Sequence, residues 1–389
     1  MLIVNQYFPP DTSATADVFA DLAELCASEG LATSVLCGRP SYRPRETFAW
    51  KLLTVRDGPV RVERVGSAAR PMTSLASRLL NYMSFLLLAA LRVTFRRRPD
   101  VVICGSDPPL TVLVALAAGR GRPTIYFLQD LHPETAISAG WMPAGRLAAV
   151  WDAAHRRALA RCSRVVCLGD EMRRLLVAKG VRSDRISVVA NGAPPPKAKF
   201  DRTITRRIRR DTPFSIVHAG NIGVAGAWHT VIEAQELLRD EAEFICVGGG
   251  AYAQEVKSRG IRVEPFETDI AAVMAAGDLQ LVTQRPETEG FLVPSKLYSA
   301  LVHGRPILAV VPNGSEVAAT VRAWECGLIA DPIDPSDVAA KVRAVLQRPE
   351  QLPEMARRAK LAGADYRRPE VFAPITREVR QLASQSSRR

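Results

Sequence analysis

The residues best suited to chemistry stand in short loops that follow apolar, β-branched runs. After Thr124 to Leu128 the chain reads Gln129-Asp130-Leu131-His132-Pro133-Glu134, two carboxylates and an imidazole at one strand exit. Such a set can orient or deprotonate a hydroxyl; the plainer alternative is an Asp and a Glu capping the next helix. Asp107, beside Pro108 and Pro109, occupies the preceding exit, and Asp11 with Ser13 and Thr15 the first. In the second half, Phe214 to Ala219 runs into Gly220-Asn221-Ile222-Gly223, and Phe244 to Val247 into Gly248-Gly249-Gly250. Glycine there lets a phosphate or a sugar come close to the backbone. A third segment runs Arg285-Pro-Glu287-Thr-Glu289-Gly290-Phe291-Leu-Val-Pro294-Ser295-Lys296. Pro294 and Ser295 suit a helix opening, with Pro at the first position and Ser as cap. A lysine in that first turn is unfavourable unless an anion such as a diphosphate lies against it; otherwise Lys296 points to solvent.

Several chemistries lack their residues. No Gly-x-Gly-x-x-Gly supports a nicotinamide dehydrogenase, and no Gly-x-x-x-x-Gly-Lys-Ser/Thr supports a Walker-type ATPase. The five histidines are scattered, so no metal site is expected, and His155 and His303 read as structural or solvated.

These loops need a scaffold of alternating strands and helices. Leu2 to Tyr7 reads as a strand, Val18, Leu22 and Leu25 as one helix face, and Ala32 to Cys37 as the next strand. Further strands are expected at 101–104, 124–128, 165–168 and 186–189, with helices at 75–96, 110–118, 147–160 and 172–179. The pattern breaks from Pro194 to Pro213, where three prolines precede seven basic residues; this reads as an exposed linker without a core face. The alternation then restarts and continues to a helix carrying Val338, Val342 and Val345. The expected fold is α/β, with two Rossmann-like domains whose parallel sheets face an interdomain cleft. The expected domains are 1–200, 201–365, and a C-terminal helix over 366–389 that returns to the first domain and ends in a frayed Arg- and Ser-rich tail.

The chain of 389 residues is 47% apolar and 24% charged, a folded composition too long for one core. Its seven cysteines include no Cys-x-x-Cys pair, which argues against structural zinc and a disulfide framework. The amino terminus lacks a signal-peptide pattern, and the longest apolar stretch, Leu79 to Leu91, has 13 residues where a spanning helix needs about 20. A cytoplasmic protein is expected. The net charge of +12 could serve nucleic acid, an anionic membrane or an acidic substrate.

Tyr7-Phe-Pro-Pro, Ser106-Asp-Pro-Pro, Gln129-Asp-Leu-His-Pro-Glu, Gly220-Asn-Ile-Gly, Gly248-Gly-Gly, Pro294-Ser-Lys-Leu-Tyr and Gly304-Arg-Pro-Ile together resemble glycosyltransferase family 4, in its WbuB-like branch that builds cell-envelope polysaccharides. The resemblance implies a metal-independent GT-B enzyme with no cofactor beyond a nucleotide-sugar co-substrate, UDP-linked. It implies retention of anomeric configuration, with the leaving diphosphate helping to take the acceptor proton. It assigns Gly220, Asn221, Gly223, Ser295, Lys296 and Arg285 to the diphosphate side of the donor, and Gly248, Gly249 and the Phe266 backbone to the nucleotide. Glu289, with the N–H groups of Gly290 and Phe291, would hold the donor sugar. Asp130 and His132 would orient the reacting hydroxyl, with Asp11, Ser13, Thr15, Asp107 and Glu134 toward the acceptor. The sequence departs from the family where a second glutamate normally follows Glu289, since Leu297 stands there. It also lacks the usual basic pair after the second domain's first strand and the glycines of the first loop.

The segment 75–98 joins a long apolar face to Arg78, Arg92, Arg96, Arg97 and Arg98. It reads as a membrane-surface helix at the inner face of the membrane, serving a lipid-linked sugar acceptor, or as a helix packed on its own sheet. In the second case a soluble polar or cationic acceptor, such as an aminoglycoside-like natural product, is the alternative, and a GT-B nucleotide-sugar epimerase is the nearest enzymatic rival. Nucleic-acid binding is not expected, because the basic linker carries no interleaved aromatics.

Overall fold

The computed structural model describes residues 1–41, 51–71, 74–197, 199–210 and 214–387. Pro213, at the end of the expected linker, and Arg388 and Arg389 of the expected tail lie outside the described residues. Residues 1–190 together with 369–389 form one compact unit, and 191–368 form the other.

The first unit carries eight strands: β1 (Leu2–Val4), β2 (Thr33–Cys37), β3 (Leu53–Arg56), β4 (Val60–Val65), β5 (Val102–Cys104), β6 (Thr124–Phe127), β7 (Arg164–Cys167) and β8 (Ile186–Val188). They lie in the order β3-β4-β2-β1-β5-β6-β7-β8. All neighbours are parallel except β3 and β4, a hairpin that the sequence reading did not foresee. Its β3 strand is solvent-exposed throughout and lacks the buried apolar run by which the others are legible. The expected strand Leu2 to Tyr7 is shorter, because pairing with β2 and β5 stops at Val4 and leaves Asn5 and Gln6 as buried polar residues at its exit.

The second unit holds β9 (Ser215–Ala219), β10 (Glu243–Val247), β11 (Arg262–Glu264), β12 (Leu279–Thr283), β13 (Ile307–Val310) and β14 (Gly327–Ala330), all parallel. Their order is β11-β10-β9-β12-β13-β14. Among the parallel strands of each sheet the order switches direction between β1 and β5 and between β9 and β12. A crevice opens beyond the carboxyl ends of the strands at such a point.

The stretch expected as a structureless linker instead contains the helix Arg202–Arg209, capped by Asp201. Its Ile204 and Ile208 pack against Val217, Ile245, Val247, Val273 and Ala276, so two apolar residues four apart are enough to seat it. Three cations at its C-terminal end are paired: Arg207 with Glu267, Arg209 with Asp278 at 2.9 Å and Arg210 with Glu264 at 3.1 Å. The C-terminal helix Arg368–Ser387 packs Phe372 edge-on to Phe127 in the first unit and continues as helix through most of the expected frayed tail. All seven cysteines are free and buried.

Candidate functional site

In the second unit the two glycine loops leave the adjacent strands β9 and β10 and lie against each other. Gly220 N–H donates to the Val247 carbonyl at 2.8 Å, and Ile222 N–H to the Gly249 carbonyl at 2.8 Å. Gly248, at φ +144°, has no room for a side chain, since a Cβ there would overlap the Gly220 carbonyl. Gly249 faces open space. Among the described residues, the N–H groups of Asn221 and Gly223 donate to no backbone carbonyl. Trp228 supports the loop from beneath, its indole N–H donating to the Gly223 carbonyl at 2.7 Å.

Lys296 opens the helix Lys296–Val302 and lays its ammonium beside Gly220, within 3.8 Å of where a Cβ on that glycine would stand. Burial pushes its pKa down to about 8, so the ammonium is held at a cost that an anion would relieve. His218, at the end of β9, is buried and driven down to about 3 by desolvation and by the Lys296 charge. The neutral ring lies between the carbonyls of Leu281 (3.2 Å) and Asn221 (3.3 Å) and donates its single N–H to one of them.

Two expected details are corrected. Ser295 makes no side-chain cap and has helical backbone angles, and Pro294 lies ahead of the helix, its carbonyl accepting from Leu297 N–H at 3.2 Å. The Phe291 N–H expected to hold a sugar donates to the Thr288 carbonyl at 3.3 Å, because the segment winds into a 3-10 turn over Pro286–Thr288. Glu289 is half-buried beside Gly290, which takes φ +78°. Gln284, buried at the exit of β12, fixes this loop by donating to the Thr288 carbonyl at 3.2 Å. Arg285 stands 3.9 Å from Glu287, and Phe266 is exposed in the loop after β11.

In the first unit, Asp107 follows β5 and Asp130 follows β6. Desolvation raises both carboxyl pKa values, and for Asp130 the Asp107 charge adds to the rise. The Thr15 hydroxyl donates to Asp107, and Arg78 offsets part of its shift. Ser106 fixes the neighbouring loop, its hydroxyl oxygen accepting from Gln129 N–H at 3.0 Å and Asp130 N–H at 3.1 Å. His132, 4% exposed, stacks on Trp151 and is kept neutral by burial, its pKa near 3.

Three of the acceptor-side residues serve the fold. Asp11 accepts from Ser41 N–H at 2.8 Å, and Ser13 caps the helix Ala14–Ser28 by accepting from Ala16 N–H at 3.2 Å. Glu134 pairs with Lys179 at 2.5 Å, and Lys179 also bonds Asp152, so Glu134 answers a buried ammonium. The switch point also holds polar atoms of the expected His132 and of Gln6 and Gln129, the last two left without a role by the sequence reading. The side-chain oxygen and nitrogen of Gln6, Nε2 of Gln129 and Nδ1 of His132 are buried without a hydrogen-bond partner among the described residues. Buried polar atoms normally have partners, and a bound hydroxylated molecule could supply them. The sequence signal for Gln6 was the polar pair Asn5-Gln6 inside an otherwise apolar run.

Among the described residues no cluster of His, Cys, Asp and Glu could hold a metal ion. Residues 13–192 match the family described as glycosyl transferase 4-like domain, and residues 213–348 match glycosyl transferases group 1. The chain is 25% identical to the probable glycosyltransferase WbjE of Pseudomonas aeruginosa, over 70% of this chain and 73% of that one. It is 24% identical to the putative colanic acid biosynthesis glycosyl transferase WcaI of Escherichia coli (strain K12), over 89% and 91% of the two chains. Similar folds include Anabaena Alr3699/HepE in complex with UDP and glucose (TM-score 0.70, 17% identity, covering 98% of this chain and 99% of that one). The lipopolysaccharide glycosyltransferase WaaG is another (TM-score 0.64, 17% identity, 97% and 99%).

Proposed function

The chain belongs to the GT-B glycosyltransferases of the family 4 and group 1 type, and from that premise we propose that it transfers a hexose from a UDP-sugar to a hydroxyl of a sugar-bearing acceptor. The observation that carries the reading is the second unit's switch point. Two interlocked glycine loops, N–H groups at Asn221 and Gly223, and the part-buried Lys296 ammonium converge where the strand order reverses. That is the chemistry of a diphosphate site.

The donor sugar would lie toward Glu289 and Gly290. The acceptor would lie in the first unit, its hydroxyls paired with Gln6, Gln129 and the Asp107–Asp130 pair. In the transfer, the acceptor oxygen bonds to the anomeric carbon as the bond from that carbon to the diphosphate oxygen breaks. The acceptor proton passes to the departing diphosphate, and Asp130 holds the hydroxyl on the face of the sugar from which the diphosphate leaves. Configuration is retained, because attack and departure share one face of the sugar. Lys296 stabilises the negative charge that develops on the leaving group, usually the largest single catalytic contribution. No metal is required for this role. The relatives' printed descriptions, colanic acid and lipopolysaccharide biosynthesis among them, support cell-envelope polysaccharide synthesis; a cytoplasmic enzyme of the WbuB-like branch with a lipid-linked acceptor is part of the same proposal.

Thermal-shift screening of the full chain with UDP-, GDP- and dTDP-sugars tests the donor, since a ligand of the native state raises the melting temperature. Stabilisation by UDP-sugars above the other two is expected, and no response to any nucleotide-sugar would overturn the assignment. Anomeric analysis of the product by NMR tests retention.

A further inference from the structure

The helix Leu75–Thr94 has its polarity the wrong way round for a surface helix in water. Its inward side is anchored by polar residues. Asn81 bonds the Arg70 backbone twice, accepting at 3.0 Å and donating at 2.9 Å, and Ser84 accepts from Ala68 N–H at 2.9 Å. Phe85, Ala89 and Val93 fill the remainder of that side. The outward side is Leu79, Leu80, Met83, Leu87 and Leu91, each between 45% and 65% exposed. An amphipathic helix in water shows the opposite arrangement, and contiguous exposed apolar surface marks an interaction site.

Neither charged residue of the helix serves the outward side. Arg78 lies over the Trp141 ring at 4.7 Å, and Arg92 pairs with Glu63 at 2.8 Å. The apolar surface continues at Phe95, 79% exposed, and at Leu113 on the helix Thr111–Gly119 packed alongside. Beyond Phe95 the charge is positive. Arg97, Arg98 and Arg120 pair with no carboxylate among the described residues, Arg98 and Arg120 being held instead by backbone carbonyls.

We propose that this helix docks the protein on an anionic phospholipid surface. It lies in the plane of the interface, with Leu79, Met83, Leu87 and Leu91 at the boundary of headgroups and acyl chains and Arg97 and Arg98 against lipid phosphates. With 20 residues and a mean hydropathy of 1.2 the helix is, by length and composition alone, apolar enough to span a bilayer, although its uncharged run, Leu79 to Leu91, has only 13 residues. Its polar anchorage to the first unit favours lying flat. The arginines favour one occupant: a second copy docked through this same helix would set arginines near arginines, whereas acidic lipid offers a dense layer of phosphates. The inference rests on the surface alone and stands whether or not the proposed reaction is right.

The test is co-sedimentation of the full chain with neutral phosphatidylcholine vesicles and with vesicles containing about one quarter phosphatidylglycerol. Binding to the anionic vesicles is expected to exceed binding to the neutral ones by at least about tenfold and to fall with added salt. The triple variant Leu79→Glu, Met83→Glu, Leu87→Glu, shown folded by circular dichroism, should lose at least about tenfold. Arg97→Ser should lose about fivefold. If the triple variant fails to fold, Leu87→Trp decides, since its emission should shift to the blue on adding anionic vesicles. Equal pelleting with both vesicle types, unchanged binding by a folded triple variant, or an unshifted Leu87→Trp spectrum would overturn the proposal. So would light scattering that shows a dimer which the triple variant turns into a monomer.

Discussion

Replacing Lys296 with Met keeps most of the apolar stem and removes the ammonium. Burial holds this amine at about 8 against an ordinary 10.5, a shift on the order of 3 kcal/mol against the charged form. The ligand-free protein carries that cost at neutral pH, and a bound diphosphate offsets it. Lys296→Met should therefore act with opposite signs on stability and on affinity. Between pH 8 and 10.5 the unfolded chain holds the proton that the folded chain has released, so wild-type stability rises with pH across that window. The variant lacks the rise and begins from a higher value at neutral pH, melting about 2 to 4 °C higher for each kcal/mol recovered. Affinity moves the other way. Losing a charge-assisted contact to phosphate in a part-buried site costs about 2 to 4 kcal/mol, or about 30- to 700-fold in the Kd for UDP. Wild-type affinity should also weaken above about pH 8 as the free amine loses its proton. Calorimetric titration with UDP and thermal melts near neutral and at higher pH read both effects. A UDP affinity within about threefold of wild type, or a variant less stable at neutral pH, would refute the reasoning.

Asp130→Asn should leave UDP affinity unchanged and abolish transfer, measured by calorimetry beside a turnover assay. Asp107→Asn removes the charge that helps raise the Asp130 pKa, so the acidic limb of the pH–rate profile should move to lower pH. The folded carboxyl holds its proton to higher pH than the unfolded one. The pair's contribution to stability is therefore greatest at low pH and lost as pH rises through its folded range, and Asp107→Asn should raise the neutral-pH melting temperature. Gly248→Ala should destabilise the second unit by at least about 2 kcal/mol and abolish UDP binding, whereas Gly249→Ala, which meets nothing within 4 Å, should keep wild-type stability by urea denaturation. Glu134→Gln should cost about 1 kcal/mol of stability, Asp152 still answering Lys179, and leave the acceptor KM unchanged in initial-rate assays.

The alternation of strands and helices was legible because buried parallel strands are short continuous apolar runs. The runs Phe244 to Val247 and Ile307 to Val311 fall within one residue of the strands Glu243–Val247 and Ile307–Val310. The hairpin of β3 and β4 was not, because β3 is exposed throughout and β4 buries only Glu63 and Val65, so neither shows a continuous apolar run. The helix Arg202–Arg209 was hidden for a related reason: two isoleucines among arginines look like a solvated run until a second surface receives them. At the site, Lys296 and the glycine loops could be found from their chemistry and position. Asp11, Ser13 and Glu134 share those residue types, yet only tertiary structure shows them spent on Ser41, Ala16 and Lys179. Gln6 and Gln129 went unassigned because an amide announces nothing by type; burial without a partner is what singles them out.

The central claim is that the switch point of the second unit binds a nucleoside diphosphate, and a crystal structure of the full chain with UDP tests it most directly. The account predicts diphosphate density against the Lys296 ammonium and the Gly220 to Gly223 loop, with the nucleoside toward Gly248 and Gly249. UDP bound elsewhere on the chain, with Lys296 left in contact with protein alone, would contradict it.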